Sequence, residues 1–219
     1  MSLTIESVGS QIQQDSYRQS IEVVIQDIRR TRTGRIVLNL IEISTRTVTI
    51  VPSADGGGIH AEAIPEFEGS SGTFSPHRLA RGTNARVRFS VGLDIPNIPQ
   101  GRSDEVLLHE LAHALRMISG AERYSRDARG NRILLPIASF ENVEEFFAAI
   151  VGSVHSSELG RQVLGNHGYW ALTDYSVLQR PPYSTRLREI WGHMPRFAED
   201  MGMIPAEVAA FNPFRDVSH

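Results

Sequence analysis

Residues 103–120 read Ser103-Asp104-Glu105-Val106-Leu107-Leu108-His109-Glu110-Leu111-Ala112-His113-Ala114-Leu115-Arg116-Met117-Ile118-Ser119-Gly120. Ser103 is a candidate N-cap, Asp104 and Glu105 suit the positive end of a helix dipole, and Gly120 suits a helix stop. The pattern therefore predicts a helix over 104–119. Val106, Leu107, Leu108, Leu111, Ala114 and Leu115 make it apolar on most sides, which places it in the core. Two histidines and a glutamate lie at its centre, and burying them without partners is costly.

His109 and His113 are four residues apart, so on a helix they differ by about 40° in direction and ~6 Å in height. Their imidazoles can converge on one tetrahedral ion at ~2.0–2.1 Å. Glu110 points about 100° away round the helix. From there it can reach a water on the open side of the ion and take its proton during attack on a carbonyl. With 8 histidines in 219 residues, the bare pattern recurs roughly 0.02 times per shuffled chain of this composition. The expectation is one Zn2+ per chain, with His109 and His113 as ligands and Glu110 as general base. A satisfied His–Glu pair on a solvated helix is the competing reading, and the apolar surroundings disfavour it.

A catalytic zinc normally takes three protein ligands. The chain has no cysteine, and the next histidine after His113 is His155. The better source is Glu141-Asn142-Val143-Glu144-Glu145-Phe146-Phe147, which opens a helix expected over 142–154 with Phe146, Ala149 and Ile150 on its apolar face. Periodicity does not choose among Glu141, Glu144 and Glu145. Those that do not bind the ion could support the ligand histidines from behind.

Working outward, residues 1–20 are rich in Ser and Gln and read as a flexible leader, with a single domain over 21–219. Ile21, Val24, Ile25 and Ile28 recur at helical spacing, with Gly34 as the stop. Ile36–Ser44 and Val48–Val51 read as a hairpin or adjacent strands, and Val87, Phe89 and Val91 as a half-buried strand. Residues 52–85, with Gly56, Gly57 and Gly58, read as a long surface loop, and 121–136 as a second loop. Pro181, Pro182, Pro195, Pro205 and Pro213 break the C-terminal third into short helices. The fold class expected is α+β, a small and mostly antiparallel sheet packed on the helix of 104–119, with a helical C-terminal part.

Composition removes several function classes. Disulfides, thiolate ligands and thiol catalysis need the cysteine that is missing. A net charge of −3 and a pI near 6.2 argue against a nucleic-acid surface. Arg29, Arg30, Arg32 and Arg35 read as a solvated face. No run approaches the ~20 apolar residues of a membrane span, and no Sec-type signal is visible.

The motif His109-Glu110-Leu111-Ala112-His113, followed by the run from Glu141 to Gly152, resembles the gluzincin arrangement. It is most similar to the NleD-type (HopH-type) type III effector zinc metalloproteases and, more distantly, to the clostridial neurotoxin light chains. The resemblance rests on residues 103–154 and implies a zincin-like fold and zinc endopeptidase activity. It implies Glu145 as third ligand, with Glu144 as a supporting carboxylate. It also lays Arg180 and Tyr183 on the Arg-x-x-Tyr pair that stabilises the tetrahedral intermediate, an effect often worth ~3 kcal/mol per donor. His155, His167, His193 and Tyr169 are alternative donors. Further implications are type III secretion into the host cell through a signal in the leader, which Leu3 fits and Glu6 departs from, and a secretion chaperone. The implied substrate is a host MAP kinase cut at its activation loop. Two other classes remain at this stage. One is a zinc peptidase of another role, either a toxin domain or a repressor-cleaving regulator. The other is a catalytically inactive binding module, against which the presence of Glu110 speaks.

Overall fold

In the computed structural model, which describes residues 2–53, 61–73, 78–92, 100–137, 139–163 and 175–217, a mixed sheet and a layer of helices meet over one apolar core. The elements run β1 (Leu3–Ile5), α1 (Gln11–Arg29), α2 (Arg32–Glu42), β2 (Val48–Pro52), β3 (Ala61–Pro65), α3 (Glu68–Ser71), β4 (Gly72–Thr73), β5 (Ala85–Phe89) and α4 (Ser103–Ser119). There follow β6 (Glu122–Arg126), β7 (Arg132–Leu134), α5 (Val143–Glu158), α6 (Tyr183–His193) and α7 (Pro195–Gly202). The larger sheet has the order β1-β2-β5-β3. β1 and β5 run parallel to β2, and β3 alone is antiparallel. The expectation of a mostly antiparallel sheet is thus corrected. Parallel neighbours need a long crossover, and α1 and α2 together supply the one from β1 to β2.

The second correction follows from the first. The apolar run from Ile36, read above as a strand, belongs to α2. Short apolar runs do not distinguish strand from buried helix by pattern, and here Val37, Leu38 and Ile41 bury one helical face. Thr31 caps this helix, its Oγ1 accepting the Gly34 N–H at 3.0 Å. Gly34 is therefore not a stop but part of the first turn of α2. A Cβ there would stand 1.9 Å from the Ile28 carbonyl oxygen at the end of α1. Gly120 does end α4 as expected, with a left-handed φ of 70°.

The segment expected to be a flexible leader is structured as well. β1 pairs with β2 in the register Thr4 to Thr49, and Ser2 Oγ donates to the carbonyls of Glu42 and Ser44. Its polar residues continue the same helix that Ile21, Ile25 and Ile28 anchor. Of the two expected loops, residues 52–85 contain β3, α3 and β4, and 121–136 form the β6–β7 hairpin. Asp127 closes that hairpin by accepting the N–H groups of Arg129 and Asn131.

Helix α4 runs through the middle, against α1, α2, α5, β3 and β5. Leu107, Leu108, Leu111, Ala112 and Ala114 are wholly buried on it. The C-terminal part is helical as expected. Phe197 of α7 packs on Phe147 of α5 and on Phe214, with ring centroids 5.3 and 5.5 Å apart. A polar seam ties the α1–α2 turn to the core: His155 Nε2 lies 3.1 Å from Asp104 Oδ2, and its Nδ1 lies 2.7 Å from Thr31 Oγ1. Burial would raise the Asp104 carboxyl, but His155 and Arg161 beside it hold it down to about 2. His155 is thus a fully buried structural residue.

The Gly34 contact is testable. Gly34→Ala forces the α1–α2 turn open against backbone, and should cost about 3 kcal/mol or more of unfolding free energy in a urea titration. A variant as stable as wild type would contradict this packing.

Candidate metal centre

Helix α4 presents His109 and His113 on the side that faces the start of α5. Asn142 caps α5, its Oδ1 accepting the N–H groups of Glu144 and Glu145 at 2.9 and 3.0 Å. That cap fixes the first turn, and both carboxylates suit the positive helix end. Glu145 then meets the histidines. Its Oε2 lies 3.1 Å from His109 Nε2, its Oε1 lies 3.3 Å from His113 Nε2, and the two Nε2 atoms are 3.1 Å apart.

These distances test whether an ion fits. In a tetrahedral site with bonds of ~2.0–2.1 Å, neighbouring donor atoms stand roughly 3.3–3.4 Å apart. The three observed separations lie within a few tenths of an ångström of that edge. The chemistry agrees, because two imidazole nitrogens aimed at each other cannot both keep an inward proton. They must share one or face a cation. His109, His113 and Glu145 are the group of residues that could hold a metal among those described.

Electrostatics around the cluster follow from the same contacts. Burial would push the Glu145 carboxyl up, but the hydrogen bonds and charges of His109 and His113 hold it well below the usual carboxylate range. Burial alone would lower His113. The bond and charge of Glu145, with the charges of Glu110 and Glu144, instead lift it to about 9. Glu110 is 9% exposed and makes no hydrogen bond or ion pair with any described residue. It lines a cleft of about 390 Å³ together with the three cluster residues.

Ala61, Glu62 and Ala63 of β3 form one wall of that cleft, and Gln100, Val106, Met117, Glu122, Leu134 and Glu144 also line it. β3 is the edge strand of its sheet. A slightly larger hollow of about 450 Å³ lies among residues 176–188 and 210–217. Among its described lining residues Asp216 is the only carboxylate and none is a histidine, so these residues lack the donors a metal needs.

Of the residues singled out in the sequence, His109, Glu110, His113 and Glu145 come together here. Glu144 does not support a histidine: it forms a buried pair with Arg116, at 2.8 Å. Glu141 is exposed. Arg180 is exposed, and Tyr183 packs in an aromatic cluster with Phe140 and Phe146, at centroid distances of 6.2 and 5.5 Å. Neither is among the described residues lining the cleft. His193 is buried at the end of α6, and His167 and Tyr169 lie outside the described residues. Glu122 was not anticipated. Burial and the Glu144 charge push its carboxyl up, offset in part by hydrogen bonds from Ser71 and Tyr124. The alternation of Glu122 with Tyr124 along one strand face was the available signal.

The family model Peptidase_M91, described as effector protein, matches residues 6–134. The chain belongs to this family. These NleD-type effector peptidases give it protease activity as a family property and imply a protein substrate. The matched span includes His109, Glu110 and His113 and ends before α5, so the placement of Glu145 rests on geometry. No curated protein sequence matches the chain.

The cluster makes a prediction for the metal-free protein. His113 has a folded pKa above its ordinary value near 6.5, so its stabilising charge is fully present below pH 6.5 and is lost as pH rises through about 9. Glu145→Gln should move the His113 titration, followed by NMR of its ring protons, down from about 9. A titration unchanged in the variant would contradict the pairing.

Proposed function

We propose that this effector peptidase is a zinc-dependent endopeptidase of zincin-like fold, with His109, His113 and Glu145 as metal ligands and Glu110 as general base. The observation that carries the reading is the meeting of two Nε2 atoms and one carboxylate at tetrahedral-edge spacing, beside the Glu110 carboxylate, which hydrogen-bonds to none of the described residues. A ligand histidine is neutral and a ligand carboxylate ionised. Zinc binding should therefore release the proton that His113 otherwise holds.

When bound, zinc supplies Lewis acidity towards water and a peptide carbonyl. The chain's own residues do the rest. Glu110, one residue from His109 and open to the cleft, takes the proton of the attacking water and can return it to the leaving amine. No described residue hydrogen-bonds to its carboxylate, which leaves both oxygens available for this. β3, an edge strand among the described strands, lines the cleft and suits an extended peptide laid alongside it, and Ala61 and Ala63 leave room for that peptide's side chains. Helices α4 and α5, packed over most of their length, keep the ligands rigid while the peptide enters.

The substrate proposed is an exposed loop of a host signalling protein, with the activation loop of a MAP kinase as the case implied by the family resemblance. Delivery would be by type III secretion, with the signal in residues 1–20, which the folded peptidase also uses as β1 and the first half of α1. The test is cleavage of purified host MAP kinases, read by mass spectrometry of the fragments. Glu110→Gln should retain zinc and lose about 10²–10⁴-fold in cleavage rate. Chelation should abolish cleavage, and added zinc should restore it. Cleavage by Glu110→Gln at the wild-type rate would remove the general-base assignment.

A further inference from the structure

Near the metal centre, helices α4 and α5 are joined across their buried faces by an Arg–Glu ion pair, while at their far ends His155 meets Asp104 and Ser156 donates to Glu105. Arg116 lies three residues beyond His113, and Glu144 immediately precedes Glu145. Both are 1% exposed. Arg116 Nε donates to Glu144 Oε2 and its Nη2 to Oε1, each at 2.8 Å. The same Oε1 accepts the Arg123 N–H of β6 at 2.8 Å. The guanidinium carbon stands 5.1 Å from the centre of the Phe147 ring. Neither member of the pair hydrogen-bonds to His109, His113 or Glu145.

Stability alone does not account for such a pair. Removing two charges from water consumes most of what their attraction returns, and apolar residues of the same volume often serve as well or better. What apolar contacts lack is direction. Aliphatic packing holds two helices together over a range of small slides and rotations, whereas a guanidinium forked on a carboxylate fits one arrangement. Register is what the metal centre needs, because its histidines come from one helix and its carboxylate from the other. A displacement of α5 by half an ångström would spoil separations of 3.1–3.3 Å.

We propose that Arg116 and Glu144 are positioning residues for the metal centre. The forked bond locks α5 against α4, so that Glu145 is already presented to His109 and His113 when an ion arrives. Through the Arg123 N–H, the same carboxylate also fixes β6, and with it the cleft wall that carries Glu122. This inference rests on the reading of His109, His113 and Glu145 as a metal site. It separates two properties: the pair next to the cluster sets metal affinity, while the apolar contacts of α4 and α5, with His155–Asp104 and Ser156–Glu105 at their far ends, set stability.

The experiment measures the zinc dissociation constant by competition with a chromophoric chelator, beside the denaturant midpoint of each metal-free protein. Three proteins are compared: wild type, R116M/E144L and R116K. R116M/E144L also leaves the Arg123 N–H without its acceptor, so its metal-free midpoint should fall modestly, and it should bind zinc about 10–100-fold more weakly than that fall accounts for. R116K keeps the charge but not the fork, and should also lose affinity. Wild-type affinity in R116M/E144L overturns the proposal, as does an affinity loss fully matched by loss of the metal-free fold. If the double variant does not fold, unchanged affinity in R116K overturns it instead. Wild type that takes up no zinc overturns the metal reading itself, and this is seen before any variant is compared.

Discussion

Between α4 and α5, two imidazole nitrogens and a carboxylate stand 3.1–3.3 Å apart inside helices whose remaining faces are mostly apolar. Such groups are costly to bury unless something pairs with all of them at once. The proposed cation pairs with all of them, and the surrounding structure is arranged as such a site requires. The two helices must lie in contact, with a register fixed to tenths of an ångström. The cap at Asn142 must start α5 at the right residue. The side of α4 next to the cluster must open to a cleft, while its other sides are sealed by α1, α2 and the sheet.

The chemistry of the site was more legible in the sequence than the fold around it. His109, Glu110 and His113 declare themselves because helix geometry alone makes residues four apart converge, whatever the rest of the chain does. Glu145 needed tertiary information. Three glutamates share one acidic stretch, and only the cap at Asn142 and the pull of Arg116 on Glu144 decide which of them turns towards the histidines. The likeness to the toxin light chains pointed to the same residue on motif order.

Where the sequence reading failed, the cause was tertiary packing. The run from Ile36 is rich in residues that favour strands, yet Thr31 caps it and the core takes one of its helical faces, so it is α2. That single change turns an expected hairpin into a long helical crossover and so makes β1 and β2 parallel. The polar composition of the first twenty residues concealed a strand, because three residues of edge pairing leave little trace in composition. Arg-x-x-Tyr is matched by spacing at Arg180 and Tyr183, and the Tyr183 ring packs on Phe146, the residue that follows Glu145.

The family match ends at residue 134, so everything contributed by α5 stands on geometry: the proposed third ligand, the Arg116–Glu144 pair and the seam from His155 to Asp104. The most direct test of the central claim is the metal content of the purified protein, by elemental analysis of wild type beside His113→Ala and Glu145→Ala. The account predicts one zinc per chain in wild type and loss of it in both variants. Zinc retained at full stoichiometry in Glu145→Ala, or wild type that holds no zinc and takes none up when it is supplied, would contradict it.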